Sequence, residues 1–421
     1  MSTTNHNGTT HHPTPPPTTI PYTQAAAGHQ GISTSTDGTL LIKPCTRAEI
    51  DFYESAKSHP AFQAHMPVYM GSLTLGNPEI QKHASVLQGQ QGGDDDTTKT
   101  ENGLNASPKP TLPENNKDKT HRRATSTHTP IISEPRIARS ANKEWTPSGG
   151  AKLSSNLSIV LSNATAGFTK PNVIDLKLGA RLWDDDAPLP KRAKLDEVAA
   201  SSTSGSLGFR VAGMKVFVGD DEVKREVNTE VHDGYKTYDK FYGRKNVDGG
   251  SIGEAFEAFL YSCGLPPRSA GGIDEDVERE KRKALLRKKL LVQRMCREIS
   301  SIEYVLEREE SRMYSASVLM VYEGDPDALE SVIRYKEEGG KLVDAEAVEL
   351  EEADDADEED EDMEDEEEAM KQKLNEVVMI DFAHAKWTPG LGPDENMLKG
   401  VRSIKSILDG LLAQVTKQLD S

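Results

Sequence analysis

The sequence predicts an α+β protein, and three observations carry that expectation. Short apolar, β-branched runs recur along the chain; helical periods are interspersed among them without a regular βαβ alternation; and at least two long polar segments break the series. With 421 residues, 35% hydrophobic and 5% aromatic, and a mean hydropathy of −0.62, the chain is lean for its length. That balance suits one ordinary core interrupted by segments too polar to repay their ordering entropy.

The elements follow in order. Residues 1–20, rich in His, Thr and Pro, read as a disordered tail. The Asp37-Gly38 turn dipeptide introduces a short strand, Thr39 to Lys43. Arg47 to Lys57 places Ile50, Tyr53 and Glu54 at helical spacing, with Thr46 available as N-cap. Pro67 to Leu75 reads as a loop leading into a strand. Residues 88–150 hold hardly any large apolar side chain and read as a low-complexity insertion without a core. Strands resume at Leu157 to Leu161 and Val173 to Leu178, followed by a strand pair, Phe209 to Val211 and Met214 to Val218, joined around Gly213. Ile252 to Leu260 and Val277 to Glu307 are helical by period. Ala316 to Tyr322 and Glu376 to Phe382 are apolar strands, and Val401 to Leu419 is an amphipathic helix. Residues 337–375 form a polar, acidic insertion expected to be disordered.

The formal net charge of −19 is concentrated: 15 of the 18 positions from Glu351 to Glu368 are acidic, and without them the balance moves to −4. Global charge therefore excludes little about partners. No apolar run approaches the ~20 residues that span a bilayer, and the N-terminus lacks an apolar signal core. Cys45, Cys263 and Cys296 show no paired spacing, which argues for a reducing compartment and against a zinc cluster. A soluble intracellular protein is expected.

Three constellations could carry chemistry. In Pro171-Asn-Val-Ile-Asp175-Leu-Lys177-Leu-Gly179, an extended backbone puts Asp175 and Lys177 on one face. A carboxylate that accepts a hydroxyl proton beside an ammonium that neutralises phosphate suits phosphoryl transfer. By spacing alone, a surface strand with an ion pair is the better account. In Ile380-Asp381-Phe-Ala-His384, an apolar strand can present Asp381 rigidly to Mg²⁺, with His384 within reach of a phosphate or hydroxyl; the plain alternative is a strand-end Asp capping a turn. Third, Gly28-His29-Gln30-Gly31 precedes the strand ending at Lys43, and Glu49 opens the next helix. That order suits a phosphate lid, a phosphate-binding Lys and a Glu that orients it, although two glycines fall short of a full Gly-rich loop.

Together these residues resemble a family. PNVIDLKLG matches the P-x-x-x-D-x-K-x-G signature of inositol polyphosphate kinases. Ser204–Phe217 (SGSLGFRVAGMKVF), Tyr314–Asp325 (YSASVLMVYEGD) and Met379–Gly400 (MIDFAHAKWTPGLGPDENMLKG) are similar to that family's blocks, in order. So is the stretch from Ala27 through TLLIKP, EIDFYES and MPVYMGSL. The resemblance covers the chain apart from its tail and insertions, and is nearest to the multikinase branch in its fungal form, where an acidic tract precedes the IDF block. It implies a two-lobed fold, distantly protein-kinase-like, with disordered insertions, and ATP and Mg²⁺ between the lobes. The N-terminal lobe would take 21–87 and, with the hinge, 151–165; the C-terminal lobe 166–336, with an inositol-binding segment at 184–207, and 376–421. By the same resemblance Lys43 would contact ATP phosphates and Glu49 orient it. The hinge from Leu161, with Ser162, to Ala164 would meet adenine. Asp175 would line the nucleotide and the reacting hydroxyl, and Lys177 the transferred and substrate phosphates. Asp381 would hold the metal, and His384 would contact the inositol.

Three departures stand out. Ser162 replaces a frequent Glu, Ala316 replaces a serine beside Ser317, and Lys240 stands where some members carry a substrate-binding Gln. The segment Pro188–Asp196 (PLPKRAKLD) offers Lys191, Arg192 and Lys194 to a polyphosphate, and equally resembles a nuclear-import signal. A solvated loop is the bland account; substrate binding is preferred and both can hold. Arg279 to Arg297 carries nine basic residues on a helix with Leu285, Leu286, Leu290 and Leu291, expected as a solvated basic face over a buried Leu stripe. The expected activity is ATP-dependent phosphorylation of soluble inositol tris- and tetrakisphosphates by a monomer in nucleus and cytoplasm, with no direct nucleic-acid binding. The alternatives are a nuclear scaffold or transcription co-regulator that meets nuclear protein partners through the acidic tract, and a pyrophosphate-forming inositol hexakisphosphate kinase.

Overall fold

The computed structural model describes residues 19–27, 31–74, 155–219, 226–266, 277–337 and 373–421. The insertion expected at 88–150 lies outside these, as do residues 28–30 of the glycine loop and most of the acidic segment.

Two antiparallel sheets define two lobes. The first orders its strands β1-β2-β3-β5-β4, from β1 (Thr19–Pro21), β2 (Ser33–Ser35), β3 (Leu40–Pro44), β4 (Tyr69–Thr74) and β5 (Leu157–Ser162). β1 claims the last two residues of the expected tail: Thr19 and Ile20 pair with Ser35 and Thr34, because two β-branched residues suit an edge strand. Helix α1 (Arg47–Ser55) packs below this sheet; Thr46 caps it, accepting from the Glu49 N–H at 3.2 Å.

The second sheet has the order β12-β11-β6-β7-β9-β8. Its members are β6 (Pro171–Leu178), β7 (Phe209–Phe217), β8 (Thr229–His232), β9 (Tyr235–Tyr238), β11 (Ser317–Glu323) and β12 (Asn375–Ile380). The strand pair expected around Gly213 is instead the single strand β7. One glycine cannot reverse a chain, and the irregularity is a bulge: Asp175 pairs with Gly213 and Leu176 with Val211, leaving Ala212 extra. A Cβ on Gly213 would come 1.9 Å from the Ala26 carbonyl oxygen, so the glycine admits the N-terminal strap rather than a turn. The β8–β9 hairpin escaped the sequence reading.

Two long helices back this sheet, α6 (Val277–Leu306) and α8 (Glu395–Leu419); α3 (Leu189–Ala200), α4 (Thr203–Leu207), α5 (Ile252–Phe259) and α7 (Pro326–Glu337) are shorter. On α6 the buried stripe is not the expected leucine run. Leu286 is half exposed and Leu285 and Leu290 are only partly buried; of the four, Leu291 alone is fully buried, and the apolar stripe continues from it through Met295, Ile299 and Ile302. Nor is the basic face wholly solvated: Arg287 and Arg294 are buried, the first bonded to the carbonyls of Cys263 and Leu265 and to Glu330, the second to Asn375. A planar guanidinium tolerates burial when carbonyls and carboxylates satisfy its fork.

The lobes are clasped behind the cleft. Met379 N–H donates to the His65 carbonyl at 2.7 Å, and Trp387, on β13 (Ala385–Trp387), stacks on Phe52 and His59 and donates to Ser55. Burial depresses the His65 pKa to about 4. The unfolded chain takes up that proton below about pH 6.5, so the unfolded state binds more protons between pH 6.5 and 4. Stability is unaffected by this group above the window and falls as pH drops through it, by at most about 3 kcal/mol. His65→Gln should flatten the pH dependence of urea unfolding between pH 4 and 6.5 by about one proton; an unchanged slope would count against the buried neutral imidazole.

Candidate active site

β6 is the centre of the site. It lies between β11 and β7, and Asp175 and Lys177 occupy alternate positions on one face, as extended geometry requires. Asp175 is buried and lines the cleft between the sheets, where Leu41, Leu161, Val173, Leu319 and Ile380 form apolar walls. Burial raises its pKa; Lys177 opposes that and Asp381 adds to it. Its Oδ1 is buried without a hydrogen-bond partner.

Lys177 donates to the Ser315 carbonyl at 2.6 Å and lies 3.9 Å from Asp381. Burial lowers its pKa against the pull of Asp381 and Asp175. Asp381 follows the last residue of β12 with φ of 69°, and Ser315 has φ of 62°. Left-handed backbone costs an L-residue about 1 kcal/mol or more, though Asp tolerates it better than most. Here it swings the carboxylate from the strand end toward Lys43, whose Nζ lies 2.5 Å from Asp381 and 2.8 Å from Glu49. Burial alone would lower the Lys43 pKa, but Asp381 and Glu49 outweigh it and hold the ammonium charged.

Ser162 and Ala164 sit where β5 leaves the first sheet and line the apolar end of the cleft. Ser162 Oγ accepts from the Val68 N–H at 2.9 Å, which closes this corner. The strap Gln24–Ala27 covers the cleft, held by Lys215, which donates to Thr23 O and Gln24 Oε1.

At the other end, His384 Nδ1 is 2.5 Å from Asp184, and Lys191 Nζ is 3.5 Å from its Nε2. The three-residue basic patch expected at Lys191, Arg192 and Lys194 is not assembled. These residues lie on the helix α3, where Lys191 and Lys194, three apart, share a face and Arg192 turns ~100° from Lys191. Arg192 bonds to the carbonyls of Ala187 and Asp185 and lies over Trp183, while Lys194 pairs with Glu197. Lys240 occupies an exposed turn after β9, its ammonium 5.5 Å from the Phe241 ring centroid.

Sequence reasoning missed Arg210 and Arg244. Arg210 pairs with Lys177 across β6–β7, is 4% exposed, and donates to Ser204. Burial and then the neighbouring Arg244 lower its pKa to about 10, with Asp175 opposing. Together with Lys177 it makes a fixed positive wall. The signal available was a charged residue inside an otherwise apolar strand, GFRVAGM.

Residues 158–409 match the family model described as inositol polyphosphate kinase. The chain belongs to the inositol polyphosphate kinase family. Membership makes it a kinase. It is 31% identical over 406 residues to the inositol polyphosphate multikinase of Saccharomyces cerevisiae, covering 91% of this chain and 95% of that one. It is 29% identical over 189 residues to the Schizosaccharomyces pombe multikinase, covering 45% and 48%. Human inositol hexakisphosphate kinase 1 is 30% identical over 260 residues, covering 60% and 52%. Among solved structures, the inositol phosphate multikinase of S. cerevisiae in complex with ADP and Mn²⁺ superposes with a TM-score of 0.52 at 23% identity, over 89% of this chain and all of that one. The two-lobed α+β fold expected from the sequence is thereby shown.

Proposed function

We propose that the chain is an ATP-dependent inositol polyphosphate multikinase that phosphorylates ring hydroxyls of soluble inositol tris- and tetrakisphosphates. The observation that carries this is the convergence of Lys43, Asp381, Asp175 and Lys177 at one end of an apolar cleft, with Arg210 beside Lys177 and the Lys191–His384 pair beyond.

The residues fit a divalent cation with a nucleotide. Asp175 offers a buried oxygen without a partner, and the Asp381 carboxylate adds to the cost of ionising Asp175 until a cation joins them. No group of three or more potential ligands stands together among the described residues. A site of one or two carboxylates completed by phosphate oxygens is how Mg²⁺ is held, and the S. cerevisiae relative was crystallised with ADP and Mn²⁺. Asp381 would hold the ion, with Asp175 beside it. A bound ion supplies neutralisation of charge developing on the phosphate oxygens.

The chain's own groups do the rest. Lys43, fixed by Glu49, binds nucleotide phosphates. Asp175 positions the acceptor hydroxyl and takes up its proton, and its burial-raised pKa makes it a better base than a solvated Asp. Lys177 and Arg210 bind the transferred and resident phosphates. Of the α3 basic residues, we assign Lys191 to the substrate; the resemblance of KRAKLD to an import signal is what a nuclear and cytoplasmic location rests on. Incubating the protein with ATP, Mg²⁺ and each of inositol tris-, tetrakis- and hexakisphosphate, with NMR of the products, tests the reading. Tetrakis- and pentakisphosphate products are expected. Pyrophosphate formed only from the hexakisphosphate would replace it with the hexakisphosphate kinase activity.

A further inference from the structure

Asp184 opens the expected inositol-binding segment but was given no role of its own by the sequence, yet its carboxylate meets His384 Nδ1 at 2.5 Å. Two distant segments make the contact: the stretch leaving β6 ahead of α3, and the turn between β12 and β13. The next two acids of the same run do not share it. Asp185 pairs with Arg181, and Asp186 is exposed. Asp184 is only 21% exposed, whereas the imidazole is 42% exposed and open toward the cleft end.

An ionised carboxylate only accepts hydrogen bonds, so the single proton of a neutral imidazole resides on Nδ1 and Nε2 keeps its lone pair. Burial disfavours a second proton on the ring, and the Lys191 ammonium, 3.5 Å from Nε2, and Lys177 on β6 add to that against the pull of Asp184.

We propose that Asp184 is a positioning residue that fixes the tautomer of His384, so that Nε2, which meets the Lys191 ammonium at 3.5 Å in this structure, accepts instead a hydrogen bond from a free hydroxyl of the inositol ring once Lys191 turns to a substrate phosphate. This rests on the inositol polyphosphate reading above. A hydroxyl can donate to that lone pair, and an ionised phosphate oxygen cannot. The dyad therefore selects at one ring position for an alcohol against a phosphate, and a mismatch leaves a polar group unpaired.

The expected results separate the two layers. In ¹⁵N NMR of histidine-labelled full-length protein, with His384 assigned by its loss in H384Q, wild type should carry the Nδ1–H tautomer. D184N should keep it, because its Oδ1 accepts the same N–H, and D184A should shift toward Nε2–H. In steady-state assays D184A should raise KM for the inositol phosphate about tenfold with kcat altered less than about threefold, D184N should restore most of the loss, and D184A should add nothing to H384A. An Nε2–H tautomer in wild type, or additive losses in the double variant, would overturn the positioning role. The tautomer measurement needs no substrate, so failure of wild type to turn over any inositol phosphate would instead overturn the hydroxyl assignment and the reading beneath it.

Discussion

Asp381→Asn is expected to lower kcat by about 10³-fold while the protein folds normally. The choice of Asn matters. Position 381 has φ of 69°, and Asn accepts left-handed backbone as readily as Asp, so the strand-end turn survives. What changes is charge. Lys43 loses one of its two carboxylates and keeps Glu49 at 2.8 Å, and the cleft loses the oxygen best placed for a divalent ion. Because the group acts on charge that develops during transfer, the loss should fall on kcat rather than on KM for the inositol phosphate. Raising Mg²⁺ should recover part of it. Single-turnover phosphoryl transfer, together with the thermal midpoint of the purified variant, checks both halves. A variant with near wild-type kcat would remove Asp381 from the metal role.

How much of this was legible in the sequence follows from the range of the interactions involved. β6 and β12 were readable because their apolar, β-branched runs fix strands locally, and Asp175 and Lys177 share a face through pleat geometry alone. The Lys43–Glu49 contact was also local, six residues apart across a capped helix start. The bulge at Ala212 was not readable, because the strap whose close approach Gly213 admits lies 187 residues away in sequence. Arg210 was missed because a buried arginine in a strand acquires meaning only when register places it opposite Lys177. The basic patch failed for the opposite reason. The helix itself was not foreseen, although proline is accommodated at a helix start, and on α3 Arg192 is taken up by the carbonyls of Ala187 and Asp185 and Lys194 by Glu197. The net charge of −19 is no bar to an anionic substrate, because the run Glu351–Glu368 lies outside the described residues and the cleft end carries Lys177, Arg210 and Lys191.

Asp175→Asn is the sharper test, because activity and stability should move in opposite directions. The carboxylate is 5% exposed, its pKa is raised chiefly by burial and further by Asp381, and Oδ1 has no hydrogen-bond partner. A buried charge held in this way destabilises the folded state, since the unfolded chain ionises the same group in water at no such cost. An amide of nearly the same shape removes the desolvation cost and the repulsion from Asp381, while Lys177 keeps the Ser315 carbonyl and Asp381 as partners. The thermal midpoint should therefore hold or rise. The reaction should suffer, because an amide cannot take the hydroxyl proton and contributes no charge beside the metal: kcat should fall by roughly 10² to 10³-fold. A surface ion pair, the plain account of D-x-K in a strand, predicts the reverse, a small loss of stability with turnover intact. Measuring kcat and the thermal midpoint on the same preparation decides between them, since a strained carboxylate is retained only where it is used.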